Sequence, residues 1–179
     1  MKKVLALCSL ILLIACESDY VSNAYSKLPA SFTFRLCSAI PPMKAALSGS
    51  AGSFFSVRAT ADNQYIFTSN DDLENPYSYH KDALDMKVAY VCRAGFIIGT
   101  PIYDSRLQAY DLACPNCYLN SINRPLTFQS RTRLVCTRCQ CAYSLDNEQA
   151  ILVEGQSKAT HLHRYHVQYD GMNNLFVSN

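Results

Sequence analysis

An all-β fold follows from three features of the 179-residue chain. Short segments of alternating apolar and polar residues recur along it, turn-forming residues separate them, and no long stretch carries the period of an amphipathic helix. Twelve Tyr and eight Phe add to the signal, because aromatic side chains suit the pleated, half-buried surface of a sheet. The pattern predicts an antiparallel β-sandwich of short strands.

Ahead of the first strand the chain reads Met1-Lys2-Lys3, then an apolar run from Val4 to Ile14, then Ala15-Cys16. This is the order of a bacterial lipoprotein signal: a basic start, an apolar stretch too short to span a bilayer, and a small residue before Cys16. Residues 1–15 are therefore expected to form a signal peptide and Cys16 to become the lipidated N-terminus, with residues 16–30 as a polar tether. That assigns the protein to the bacterial cell envelope, lipid-anchored on the periplasmic face or at the cell surface, with the membrane as a partner through the N-terminal lipid. Loss of Lys2 and Lys3 leaves fourteen basic residues against fourteen acidic ones. A formally neutral body offers no basic field for nucleic acid.

Residues 31–179 have the length of one domain with one sizeable core. Ser31 to Leu36 alternates and reads as the first strand, with Phe32 and Phe34 on one face. Pro41-Pro42 interrupts it, and Met43 to Leu47 suits a single helical turn before a glycine-containing stretch. Phe54 to Thr60 and Gln64 to Ser69 read as strands joined by a hairpin at Asp62-Asn63. Asn70 to Asp85 is polar and reads as a long loop holding His80, a surface residue. Lys87 to Val91, Phe96 to Thr100 and Arg106 to Leu112 follow as short strands, and Ala142 to Leu145, His161 to Tyr169 and Asn174 to Ser178 complete the set.

The chemistry-bearing stretch is Cys114 to Leu145, at residues 114–145. It contains Cys114-x-x-Cys117 and Cys136-x-x-Cys139, eighteen residues apart. Each Cys-x-x-Cys turn sets two thiolates on one side of a tight loop, so two facing loops resemble zinc-ribbon knuckles and offer four sulfurs to one site. Zn and an iron–sulfur cluster both accept four cysteines, and two disulfides in an exported protein remain a third assignment. Arg124, Arg131, Arg133 and Arg138 lie near enough in sequence to offset the negative charge of four thiolates. The other cysteines of the body are Cys37, Cys92 and Cys141. Cys37 and Cys92 each adjoin a strand, as a disulfide or as two reduced buried thiols, and Cys141 is close enough to Cys139 to act as a spare ligand or redox partner.

His161, His163 and His166 invite a metal reading. On a strand, however, His161 and His163 face one way and His166 the other, so the three cannot converge. No G-x-S-x-G elbow, phosphate-binding glycine loop or H-E-x-x-H helix is present in the sequence, which leaves little basis for an independent enzyme.

From about Phe96 to Asn179 the order of motifs resembles a Rieske-type [2Fe-2S] domain. The matching run is Tyr110-Asp111-Leu112-Ala113-Cys114-Pro115-Asn116, then Cys136-Thr137-Arg138-Cys139, Tyr143-Ser144-Leu145, Gly155, Leu162-His163-Arg164-Tyr165-His166-Val167 and Leu175-Phe176-Val177. The resemblance implies a Rieske-like antiparallel sandwich with the centre held by two loops. Cys114 and Cys136 match the family's cysteine ligands. Asn116 stands at the first histidine position and Cys139 at the second, while Cys117 lies one residue past the first. The positions of the inter-loop disulfide found in some members hold Leu119 and Arg138, so that bridge is missing.

Cofactor binding is therefore expected at Cys114, Cys117, Cys136 and Cys139, with either a [2Fe-2S] cluster or Zn. An iron–sulfur centre implies electron transfer or an accessory role, with a redox partner protein or as an electron-carrying subunit of an oxidoreductase. All-thiolate ligation would draw its potential toward roughly −400 mV. Zn or disulfides imply a redox-silent structural or binding module. The N-terminal assignment has its own test: Cys16→Ser should abolish acylation and allow a carbonate wash to release the protein from membranes. Retention of the variant in the membrane fraction at unchanged mass refutes the lipoprotein assignment.

Overall fold

The computed structural model describes residues 25–179, so the expected signal peptide and lipidation site Cys16 lie outside the described residues. The described residues are mostly β: β1 (Ser31–Phe34), β2 (Ser53–Ala59), β3 (Gln64–Ser69), β4 (Tyr77–His80), β5 (Phe96–Thr100), β6 (Gln108–Asp111), β7 (Thr127–Ser130), β8 (Arg133–Val135), β9 (Ala142–Ser144), β10 (Leu152–Glu154), β11 (Arg164–Tyr169) and β12 (Leu175–Ser178). Two short helices accompany them, α1 (Pro41–Leu47) and α2 (Pro115–Leu119). Eight strands form one antiparallel sheet in the order β1-β12-β11-β6-β5-β2-β3-β4, and four form a second in the order β10-β9-β8-β7. No helix among the described residues is long and apolar enough to cross a membrane.

Alternation along the central strands explains how one sheet serves two cores. On β2, Phe55 and Val57 point to one face and Phe54 to the other; on β5, Phe96 and Ile98 oppose Ile97; on β6, Ala109 opposes Tyr110. The first set joins Phe32 and Phe34 of β1, Tyr65 and Phe67 of β3, and Leu175 and Val177 of β12 inside the curl of the large sheet. The second set meets Leu134 of β8, Tyr143 of β9 and the knuckle cysteines under the small sheet. Each fully buried aromatic or aliphatic side chain contributes about 1.5–3 kcal/mol by leaving water, and edge-to-face pairs such as Phe34 with Tyr79 fix the geometry further.

Local chemistry sets the remaining elements. In α1, Pro41 and Pro42 occupy the first turn, where no backbone donor is needed, and Met43 and Ala46 are buried against the first core. Asn63 takes φ 55° in the β2–β3 turn, which an asparagine tolerates. At the end of the expected tether, Tyr25 stacks on His166 at 3.6 Å and the Ser26 N–H donates to the Arg164 carbonyl at 2.7 Å, which fixes that end against β11.

Several strand assignments change. Lys87 to Val91 is not a strand; a 3-10 turn over Asp85–Lys87 precedes it, and only Val91 bridges to Ser31. β4 lies inside the expected long loop, and β7, β8 and β10 are additional. All four are short and largely polar or exposed, so they carry little alternation. β11 begins at Arg164, leaving His161 and His163 outside it.

The β11–β12 turn is organised by Asp170. One of its carboxylate oxygens accepts the N–H groups of Met172, Asn173 and Asn174 at 2.8, 2.9 and 3.0 Å. The Asn174 and Met172 backbone donors, with the Asn174 side chain, hold its pKa down at about 2. The depressed value means that the carboxylate stabilises the fold above the ordinary Asp pKa of about 4 and that this contribution fades as pH falls through about 2. Asp170→Ala should therefore melt below the wild type near neutral pH, with the gap narrowing between about pH 4 and pH 2 in melting curves followed by circular dichroism.

Candidate metal centre

The two knuckles sit on the loops that join the large sheet to the small one and cross within the small one. The first follows β6. The Leu112 N–H donates to the Gly95 carbonyl, and the Cys114 N–H donates to the Arg124 carbonyl at 2.7 Å as the chain returns toward β7. Cys114 is extended (φ −64°, ψ 116°), and Pro115 opens α2 without needing a donor. This turn brings the Cys117 N–H onto the Cys114 sulfur. The second knuckle caps the β8–β9 hairpin: the Cys136 N–H donates to the Cys141 carbonyl at 3.0 Å and the Gln140 N–H to the Cys136 carbonyl at 2.9 Å. Gln140 takes φ 59° to close the loop, a left-handed conformation uncommon for its type.

Across the gap, the Cys114 and Cys139 sulfurs are 3.5 Å apart and those of Cys117 and Cys136 3.6 Å. All four lie within 4.8 Å of one another. Cys114, Cys117 and Cys136 are buried, Cys139 is partly so, and each carries a free thiol. Thiolates held at about 2.3 Å from a single tetrahedral ion stand about 3.8 Å apart, so the donor set fits one metal ion with little adjustment. In a [2Fe-2S] cluster, two thiolates bind each of two irons, and sulfurs on opposite irons stand further apart by the breadth of the cluster. The sequence-expected ligands Cys114, Cys117, Cys136 and Cys139 therefore come together as one metal-binding group.

Hydrogen bonds distinguish the four thiols. Burial raises the pKa of Cys114 and lifts that of Cys117 to about 11, where the Cys136 and Cys139 contacts add to it. Burial also opposes ionisation of Cys139, but the Asn116 side chain, the Cys141 N–H and the thiols of Cys114 and Cys136 outweigh it and bring Cys139 to about 6. Asn116, between the two cysteines of the first knuckle, thus supports the Cys139 sulfur of the second. Its role is not visible in the sequence, because Asn116 contributes no ligand atom of its own.

Two of the four arginines pair elsewhere. Arg131 pairs with Asp71 at 3.1 Å and Arg133 pairs with Glu154, while Arg124 and Arg138 form none of the described ion pairs. At Cys139 the Asn116 side chain and the Cys141 N–H favour the thiolate. Cys141 is not in the sulfur group; its thiol approaches the Gln156 carbonyl at 3.8 Å and packs on Gly155, where an added Cβ would stand 3.0 Å from its sulfur. Cys37 and Cys92 are free thiols in the first core. His163 meets Tyr118 edge-on at 5.9 Å, and His166 stacks on Tyr25.

Two polar residues to which the sequence assigns no role hold the site in place. Asp111, fully buried, accepts N–H bonds from Arg93, Ala94 and Ala113 and the Tyr165 hydroxyl at 2.8–3.3 Å, which anchors the residue preceding Cys114. Asn70 donates to the carbonyls of Gly52 and Arg131 and accepts the Phe54 N–H, tying the small sheet to the large one. A lone Asp at a strand end and a lone Asn in a polar segment give no pattern by which a sequence could mark them.

No protein-family model, curated protein or solved structure matches the chain.

Structural zinc binding yields about 10–16 kcal/mol, against a whole-domain stability of about 5–15 kcal/mol. Single Ser replacements of Cys114, Cys117, Cys136 or Cys139 should each lower metal content and melting temperature together. Cys141→Ser should keep full metal content. Elemental analysis with thermal melts on the five variants checks this, and metal loss in the Cys141 variant would enlarge the ligand set.

Proposed function

We propose that the chain is a lipid-anchored envelope protein whose Rieske-like body holds one zinc ion at Cys114, Cys117, Cys136 and Cys139, as a redox-silent structural and binding module. The observation that carries this reading is the spacing of the four sulfurs, all within 4.8 Å, which suits a single ion. Zinc suits four thiolates without a preferred oxidation change, and as a closed four-ligand site it clips loops rather than doing chemistry. What the ion would clip is evident in the fold: α2 and the β8–β9 loop belong to the side of the molecule whose strands are shortest.

The Rieske-like part of the reading is supported by the order of elements. The two knuckles fall between β6 and β7 and between β8 and β9, with a small sheet around them and with β11 and β12 returning to pair with β1 in the large sheet. The same order favours a second reading, in which an iron–sulfur centre makes the protein an electron carrier for a partner protein. Envelope location and membrane attachment rest on the sequence through Cys16.

Purified protein distinguishes the two. Elemental analysis should find one zinc per chain in a colourless solution, and a chelator strong enough to remove it should lower the melting temperature. A red-brown protein containing two irons and acid-labile sulfide would replace this reading with the electron-transfer one.

A further inference from the structure

A cleft of about 310 Å³ opens where β2 and β3 meet the chain around β7, and it contains none of the cysteines. Its size is at the small end of ligand pockets, which run from about 300 to 1,000 Å³. Ser56 pairs across the strands with Thr68 and Arg58 with Ile66, so these four share the face of β2 and β3 opposite the first core. Leu112, Leu126 and Phe128 supply the facing apolar wall.

Two observations make this more than an apolar groove. Ser56 is 8% exposed as a residue, and its hydroxyl, which enters none of the described hydrogen bonds, is not sealed off and so opens onto the cleft. Arg58 forms none of the described ion pairs, and no residue lining the cleft is acidic. Gly95 directs the Arg58 stem along the wall: an added Cβ there would stand 2.9 Å from the Arg58 Cγ and 3.1 Å from a Leu112 methyl. One cation and the Ser56 and Thr68 hydroxyls along an apolar cleft complement a compact anion on an apolar body.

We propose that this cleft binds a small apolar monocarboxylate, with its carboxylate at Arg58 and Ser56 and its ring or short chain against Ile66, Leu112, Leu126 and Phe128. The site is independent of which metal the cysteines hold. Neutral or cationic ligands of the same shape lack the charge that Arg58 would engage, so charge should decide affinity among isosteres.

Isothermal titration of the full chain in detergent micelles, with micelle-only heats subtracted, tests this. The probes are 3-phenylpropionate, 3-phenylpropan-1-ol and 3-phenylpropylammonium. We expect saturable binding of the acid, about tenfold or more tighter than the alcohol, with the ammonium weakest. Arg58→Gln, an exposed position, should bring the acid to the level of the alcohol, and Thr68→Phe should block all three. Melting temperatures establish that each variant is folded, and if Thr68→Phe is not, Arg58→Gln decides alone. Absence of saturable binding, equal binding of acid and ammonium, or an unchanged acid affinity in Arg58→Gln overturns the proposal.

Discussion

Crowding four thiols into one apolar cluster is the constraint on which the small sheet depends. Cys114, Cys117 and Cys136 are buried among Ile97, Tyr110, Leu134 and Tyr143, and Cys139 packs against them. Remove the sulfurs from that cluster and the remaining partners of the small sheet are strands of three or four residues with mostly half-exposed side chains. Such strands gain little from burial, so the loops that join them must be held by something stronger than packing. A closed tetrahedral site would do this, because its ligand distances would leave each loop almost no freedom.

Polar bolts complete what the sulfurs begin. Asp111 gathers three backbone donors and a tyrosine hydroxyl in a fully buried position, where a polar side chain is tolerable only with its hydrogen-bonding capacity filled. It sits between the large sheet, through Tyr165, and the first knuckle, through Ala113. Asn70 does the equivalent for the β7–β8 end by joining the Gly52 and Arg131 carbonyls. The geometry of the four sulfurs is thus inherited from the large sheet, whose strands β2, β5 and β6 are buried on both faces.

What could be read in the sequence was whatever leaves a repeating or spaced signature. The two Cys-x-x-Cys turns specify the sulfur group by spacing alone, and Gln64 to Ser69 and Phe96 to Thr100 were legible to the residue because a sheet with one or two buried faces imposes its pattern on side chains. β4 was not legible: Tyr77 to His80 is almost wholly exposed and is held as a strand by pairing with β3. Arg131 and Arg133 misled for a related reason. Proximity in sequence to the cysteines suggested charge compensation, whereas hairpin geometry delivers their side chains to Asp71 and Glu154.

The cleft and the cysteine cluster share a wall, so the small sheet borders both. Leu112 lies two residues before Cys114, and its carbonyl accepts the Leu126 N–H at 2.8 Å, so the cleft lining is continuous with the first knuckle. Phe128 reaches the cleft from β7 and also packs against the second core. A metal clip that fixed Cys114 against Cys139 would therefore also fix how closely Leu126 and Phe128 approach Ile66 and Ser56. With a metal on the four sulfurs the loops would be clamped, a pocket formed between the two sheets would keep its shape before any ligand arrived, and preorganisation of this kind would let a small cleft discriminate by charge.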